Sequence, residues 1–187
     1  SIFGMNGYDH RQFLNRYYSG KFPGSFAKGL PFNYNPQNQD MRICGTAASL
    51  AGLEQALEVK SDILYQFAIE RILLIHSIIL STGGIPLIYS GDEIATLNDY
   101  GYLEDPHRQQ DSRWAHRSVF DWQRAENRYD LNTTEGRVFS RLARMIAVRK
   151  AHAAFGGNDT RFIPCENEHV LVYLRPHAQQ PILCVAN

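Results

Sequence analysis

Apolar and polar positions change rhythm several times along the chain. Residues 1 to 60 hold many turn-formers and few long apolar periods, yet carry Phe3, Tyr8, Phe13, Tyr17, Tyr18, Phe22, Phe26, Phe32 and Tyr34. Phe13, Leu14, Tyr17 and Tyr18 fall at i, i+1, i+4 and i+5, which predicts a helix over Asp9–Tyr18. A second helix is predicted from about Thr46 to Leu57. Asp62 then reads as the N-cap of a strong helix whose apolar positions include Ile63, Phe67, Ile72, Ile75, Ile78 and Ile79. Apolar residues surround most of its circumference, so burial on more than one side is expected. It should stop at Thr82-Gly83-Gly84, where glycine supplies left-handed geometry.

Pro86 opens the short continuous apolar run Leu87-Ile88-Tyr89, which suits a strand buried on both faces of a parallel sheet. From Ala95 to Thr133 the chain is polar and rich in Asp, Arg, Pro and Asn, an unusual length for a loop without a task. Thr133 or Thr134 is expected to cap a helix reaching about Lys150. One face of that helix carries Val138, Leu142, Met145, Ile146 and Arg149, flanked by Arg137, Arg141 and Arg144 as solvated or loop-contacting residues. After Gly156-Gly157, the segments Arg161–Cys165, His169–Arg175 and Pro181–Asn187 read as three short antiparallel strands. The run Leu183–Asn187 is still apolar where the sequence stops, and the start is equally abrupt. The chain is therefore expected to be a piece of a longer protein.

Composition adds limits rather than a function. The 187 residues fall short of a full (β/α)8 barrel, which takes about 250. With 44% hydrophobic and 20% charged residues, and 19 basic against 19 acidic, there is no net field to gather nucleic acid or an anionic membrane. The longest apolar stretch, Ile72–Leu80, is interrupted by His76 and Ser77, so no membrane span is expected. No secretion signal is visible, which leaves localisation open with the cytoplasm favoured. Cys44, Cys165 and Cys184 are too scattered for a disulfide framework and are expected to be unpaired and mostly buried. The seven histidines lack metal-ligand spacing. No metal and no cofactor are expected.

Asp92 and Glu93 invite comparison with a glycosidase carboxylate pair. Such pairs face each other about 5 to 10 Å apart across a sugar, whereas adjacent residues of a strand point to opposite faces. A structural role at the end of the strand is the better reading.

The segment Gly84-Ile85-Pro86-Leu87-Ile88-Tyr89-Ser90-Gly91-Asp92-Glu93 nevertheless resembles the eighth barrel strand of the α-amylase family, whose usual form is Gly-(small)-Pro-(apolar)-Ile-Tyr-(any)-Gly-(any)-Glu. The segments Gly7–Arg16 and Asp111–Arg117 narrow the resemblance to its amylosucrase and sucrose hydrolase branch. So do Gly24–Ala27, Gly45–Ala48 and Gly91–Asp99. The similarity covers nearly the whole chain in order.

That resemblance implies an α/β fold: the C-terminal portion of a (β/α)8 TIM barrel with an inserted subdomain, followed by the start of an antiparallel β domain. The parts would be residues 1–60 (insertion after the seventh strand), 61–155 (closing barrel elements) and 156–187 (start of the β domain). It implies a retaining enzyme acting on sucrose and α-glucan, using a nucleophilic Asp, an acid/base Glu and a third Asp. No position here matches any of the three, so no catalytic residue is assigned and the chain alone is expected to be inactive. The substrate-binding residues implied are Arg113, matching an arginine that ion-pairs with an upstream Asp, Arg42 on the fructosyl and acceptor side, and Arg11 and Phe13 in the acceptor channel. Phe13 could equally be core. The other aromatics of the insertion, Phe32 among them, read as packing residues. His10 and His116 lie within the matching motifs and read as positioning residues. A sucrose hydrolase and a non-catalytic glucan-binding protein remain alternatives, and exposed barrel edges would favour self-association.

Overall fold

The computed structural model describes residue 4 and residues 6–187; Phe3 lies outside the described residues. The fold mixes six α-helices, several 3₁₀ turns and two small antiparallel sheets among the described residues, with no closed barrel. The elements pack as two units: residues up to Ile69 together with Ala95–Asp121, and Glu70–Ile94 together with Trp122–Asn187.

In the first unit, α1 (Gly7–Tyr18) begins at Asn6, whose side chain accepts from the Asp9 amide. Its apolar side joins an aromatic cluster in which Phe13 meets Phe22 edge-on at 5.0 Å and Tyr17 meets Phe26 at 5.4 Å. A hairpin follows, β1 (Leu30–Asn35) with β2 (Asp40–Cys44). Neither strand is evident from the sequence pattern. The helix expected over Thr46–Leu57 is two helices, α2 (Ala47–Leu50) and α3 (Leu53–Glu58). Gly52 separates them at φ 97, in the left-handed region that an uninterrupted helix excludes.

Helix α4 (Asp62–Ser81) runs through both units. Its cap is Ser61 rather than Asp62: the Ser61 hydroxyl accepts from the Leu64 amide, and Asp62 already lies in the first turn. Burial is confined to one side, at Ala68, Ile69, Ile72, Leu73, His76 and Leu80, while Ile63, Phe67 and Ile75 stay exposed. The expected burial on more than one side is therefore not found, because too few elements surround the helix. By length and composition alone α4 could cross a membrane. However, Glu70 and Arg71 sit at its midpoint, where each charge costs about 2.5–3.5 kcal/mol in a bilayer. Glu70 also binds Arg141 through both oxygens, at 2.5 and 2.7 Å. We read α4 as a packing helix.

The second unit contains the end of α4, α5 (Trp122–Ala125), α6 (Thr134–Ala151) and a sheet of β3 (Arg161–Ile163), β4 (Leu171–Arg175) and β5 (Ile182–Ala186) in that order. Thr133 caps α6 by accepting from the Gly136 amide at 3.0 Å. Val138 and Leu142 are buried as expected, and Arg149 donates to the carbonyls of Leu80 and Gly84, closing the C-terminus of α4. The guanidinium of Arg175 is wholly buried, held by the carbonyls of Ala154 and Gly157 and the Thr160 hydroxyl. Gly83 packs beside it so closely that a Cβ would stand 2.3 Å from the Asn158 carbonyl oxygen.

Two expectations fail here. Leu87–Tyr89 pairs with no strand among the described residues, and Ile85 and Leu87 are 98% and 73% exposed. An apolar run carries strand propensity, but a strand exists only where a neighbour takes its backbone hydrogen bonds. The three cysteines are free thiols, yet only Cys44 is buried, since Cys165 lies beyond the end of β3 and Cys184 on the outermost strand of the sheet.

Candidate functional site

The β1–β2 hairpin gathers three of the four residues singled out for substrate binding. Phe32 stands directly opposite Arg42, Leu30 opposite Cys44, and Asn35 opposite Asp40. Between Phe32 and Asn35 the first strand holds one residue more than the second, and Asn33 absorbs the irregularity at φ 54. The second strand stays regular, so Asp40, Arg42 and Cys44 share one face, with Phe32 beside Arg42.

The segment opening with Asp111 lies against this face. Asp111 accepts from the Arg113 amide at 3.0 Å and so caps the 3₁₀ turn Ser112–His116. The same carboxylate takes both sides of the Arg113 fork, Nε at 2.8 Å and Nη2 at 2.7 Å. That geometry lays the guanidinium over Phe32, its carbon 4.5 Å from the ring centroid. The Ser112 hydroxyl donates to the Pro31 carbonyl at 2.8 Å and fixes the turn to β1. Arg113 holds the Asp111 carboxyl down to about 2. Burial pushes the Cys44 thiol up, and burial followed by the positive charge of Arg117 and Arg113 pushes His116 down.

Arg11 reaches the other end of the same strand, donating to Asp40 at 3.0 Å, with Gln12 donating to the Gln39 carbonyl at the same distance. The Arg11 guanidinium keeps the Asp40 carboxyl below its ordinary range. Phe13, half-buried, turns into the aromatic cluster with Tyr17 and Phe22 rather than towards this face.

Two contributors escaped the sequence reading. Asp111 is the carboxylate that Arg113 holds here, and its place two residues earlier was the available signal. Phe32 was grouped with packing residues, and only the hairpin register shows that it lies beside Arg42. Asp92 and Glu93 take separate local roles: Glu93 accepts from the Gly91 amide at 2.7 Å, while Asp92 faces His76.

Chemically the face offers charged donors around one aromatic ring. Arg42 is exposed and its side chain makes no hydrogen bond or ion pair among the described residues. Arg113 keeps Nη1 outside its grip on Asp111. Such a set suits a neutral ligand rich in hydroxyl groups, whose oxygens accept from arginine while its carbon skeleton packs on an aromatic surface. No group of three or more His, Cys, Asp or Glu side chains able to hold a metal occurs among the described residues.

No protein-family model matches the chain. Among known proteins it is similar to the trehalose synthase of Thermus thermophilus, with 30% identity over 135 residues, taking in 61% of this chain and 14% of that protein. The match thus spans about a seventh of the relative's length. This likeness supports a broad relationship to the α-amylase family of glycoside-active enzymes.

Proposed function

We propose that the chain forms part of a sucrose-acting glucosyltransferase of the amylosucrase kind and contributes a sugar-binding wall rather than the bond-breaking groups. The observation that carries this reading is the convergence of Arg11, Arg42 and Arg113 on one hairpin, with Phe32 between the last two. In the whole enzyme the glucosyl unit of sucrose would pass to an α-glucan by a retaining route, on carboxylates that no position of this sequence matches. The hairpin face would hold hydroxyl groups of the sugars beside that centre. In the same reading α4, Leu87–Tyr89 and α6 are the closing helix, strand and helix of a (β/α)8 barrel, with Ile85 and Leu87 waiting for strands from elsewhere in it. Active sites of such barrels lie at the C-terminal ends of the strands, so in this reading the Gly91–Ile94 turn would lie on the site side.

The test is a titration of the ¹⁵N-labelled chain with sucrose, maltoheptaose and trehalose, followed by NMR. Shifts from sucrose or maltoheptaose are expected at Phe32, Asp40–Cys44 and Asp111–Arg113, and Arg42→Ala is expected to remove them. Neither glucose nor fructose should be released from sucrose. Turnover by the pure chain would overturn the division of labour; a response to trehalose with none to sucrose or maltoheptaose would overturn the substrate assignment.

A further inference from the structure

Helix α4 carries a buried titratable side chain that the hairpin face does not use. The Nδ1 of His76 stands 2.7 Å from the Ile72 carbonyl oxygen, one turn earlier on the same helix. A carbonyl oxygen can only accept, so Nδ1 carries a proton in both the neutral and the charged ring. Titration is thereby confined to Nε2. That nitrogen lies 3.8 Å from Asp92 Oδ2, an ion-pair distance longer than a hydrogen bond. A neutral ring in this pose would turn its Nε2 lone pair towards a carboxylate in a site that water hardly reaches. A protonated ring gives each N–H an acceptor and the carboxylate a counter-ion.

The neighbouring charges leave this pair to itself. On α4, Glu70 and Arg71 precede His76 by more than a turn, and Glu70 is held by Arg141 of α6. Arg149 of α6 is spent on the carbonyls of Leu80 and Gly84, and Arg124 pairs with Glu135. Glu93 closes on the Gly91 amide, and the Tyr173 hydroxyl meets Ser81, with the Cys184 thiol nearby. Glu168 and His169 line a cavity beside Leu74 and Ile78. Asp92 is the one ion partner of His76 among the described residues, and Asp92 has no other side-chain partner there.

We propose that His76 is a buried imidazolium that positions Asp92, and through it the Gly91–Ile94 turn, and that loss of its Nε2 proton loosens the turn. The turn's other ties are local or made by its backbone: Asp92 N donates to the Tyr89 carbonyl at 3.0 Å and Ile94 N to the Gly91 carbonyl at 3.2 Å, Glu93 closes on the Gly91 amide, Arg124 donates to the Ile94 carbonyl at 3.1 Å, and Ile94 is buried. His76 is the partner of the Asp92 side chain. The Asp92 carboxylate raises the His76 pKa above its ordinary value, against the opposing effect of burial. For a raised histidine the stabilising contribution is complete below the unfolded value near 6.5 and disappears as pH rises through the higher folded value. The tie therefore holds below the ordinary histidine value and gives way as pH rises through the higher folded one. This inference stands on the second unit alone and is independent of what the hairpin binds.

Histidine-selective ¹⁵N NMR from about pH 5 to about pH 9, with amide hydrogen exchange at Ile94, tests it. His76 is expected to titrate above about 6.5 with Nε2 as the titrating atom. Protection of the Ile94 amide, corrected for the intrinsic pH dependence of exchange, should fall through that midpoint. Asp92→Asn should lower the midpoint by about one unit or more, a tenfold change in proton affinity, and Asp92→Glu should restore it. A wild-type midpoint at or below the ordinary value overturns the proposal. So does a midpoint indifferent to Asp92→Asn, or Ile94 protection that ignores the titration of the ring. The wild-type measurements decide the matter even if a variant fails to fold.

Discussion

Arg113 chelates Asp111, two residues before it, while its guanidinium lies over the Phe32 ring at 4.5 Å. Both contacts use the planar fork, which lysine lacks. Arg113→Lys is therefore expected to weaken maltoheptaose binding about tenfold, since the charge survives but neither the bidentate grip nor the stacking does. The pair is only half-buried and open to solvent on one side, so the thermal midpoint at neutral pH should move little. The sign of the acid response follows from the depressed Asp111 value. Its contribution is complete above the unfolded value of 3.8 and is lost as pH falls through about 2. Calorimetric titration of Arg113→Lys with maltoheptaose is the check: unchanged affinity would remove Arg113 from the binding face.

What the sequence announced and what it concealed differ in range. Helices α1, α4 and α6 follow from local periodicity and caps, and β3 to β5 from alternation between turn residues. The hairpin was concealed because its meaning is nonlocal. Pro31, Asn33 and Asn35 read as turn residues, and the register of the hairpin depends on left-handed backbone at Asn33 and at Gln39 in the turn. The run Leu87–Tyr89 failed in the opposite way, with strand propensity evident and no partner present. At the site, the resemblance singled out Arg11, Arg42 and Arg113, whereas Phe32 and Asp111 emerged only from pairing. Phe13 shows the limit of residue type as a guide, because an aromatic side chain serves a sugar face or a core equally well.

Arg175 is the second unit's most exposed liability in energetic terms, although it is wholly buried. Its guanidinium is held by the carbonyls of Ala154 and Gly157 and by the Thr160 hydroxyl, and it forms no salt bridge among the described residues. Five fixed donors allow one side chain to hold the Ala154–Thr160 segment against β4. Arg175→Lys keeps the charge but supplies three donors from one atom, so the Ala154 and Gly157 carbonyls and the Thr160 hydroxyl no longer all keep a partner inside the protein. A loss of about 3–5 kcal/mol is expected, a large share of the stability of an ordinary domain. Urea denaturation of wild type and variant measures it. A loss below about 1 kcal/mol would show that water replaces the guanidinium at this site.

Tyr100 and Glu54 offer a test in the first unit that reads both stability and titration. The Tyr100 hydroxyl donates to Glu54 Oε1 at 2.6 Å, whereas Glu54 Oε2 is buried with no hydrogen-bond partner among the described residues. A carboxylate already short of one partner should tolerate loss of the other poorly. Tyr100→Phe removes that donor while keeping the ring, and is expected to cost about 1–3 kcal/mol at neutral pH. In the wild type, burial and the adjacent Glu54 push the Tyr100 pKa up to about 12. A raised folded value means the contribution is complete below the unfolded pKa near 10 and is lost as pH climbs towards 12. Burial raises Tyr102 and Tyr173 as well, so ultraviolet titration should show one late-ionising tyrosine fewer in Tyr100→Phe than in wild type, and the variant should lose less stability between about pH 10 and about pH 12. Equal stability of the two proteins at neutral pH would mean that Glu54 does not depend on Tyr100 for its place in the core.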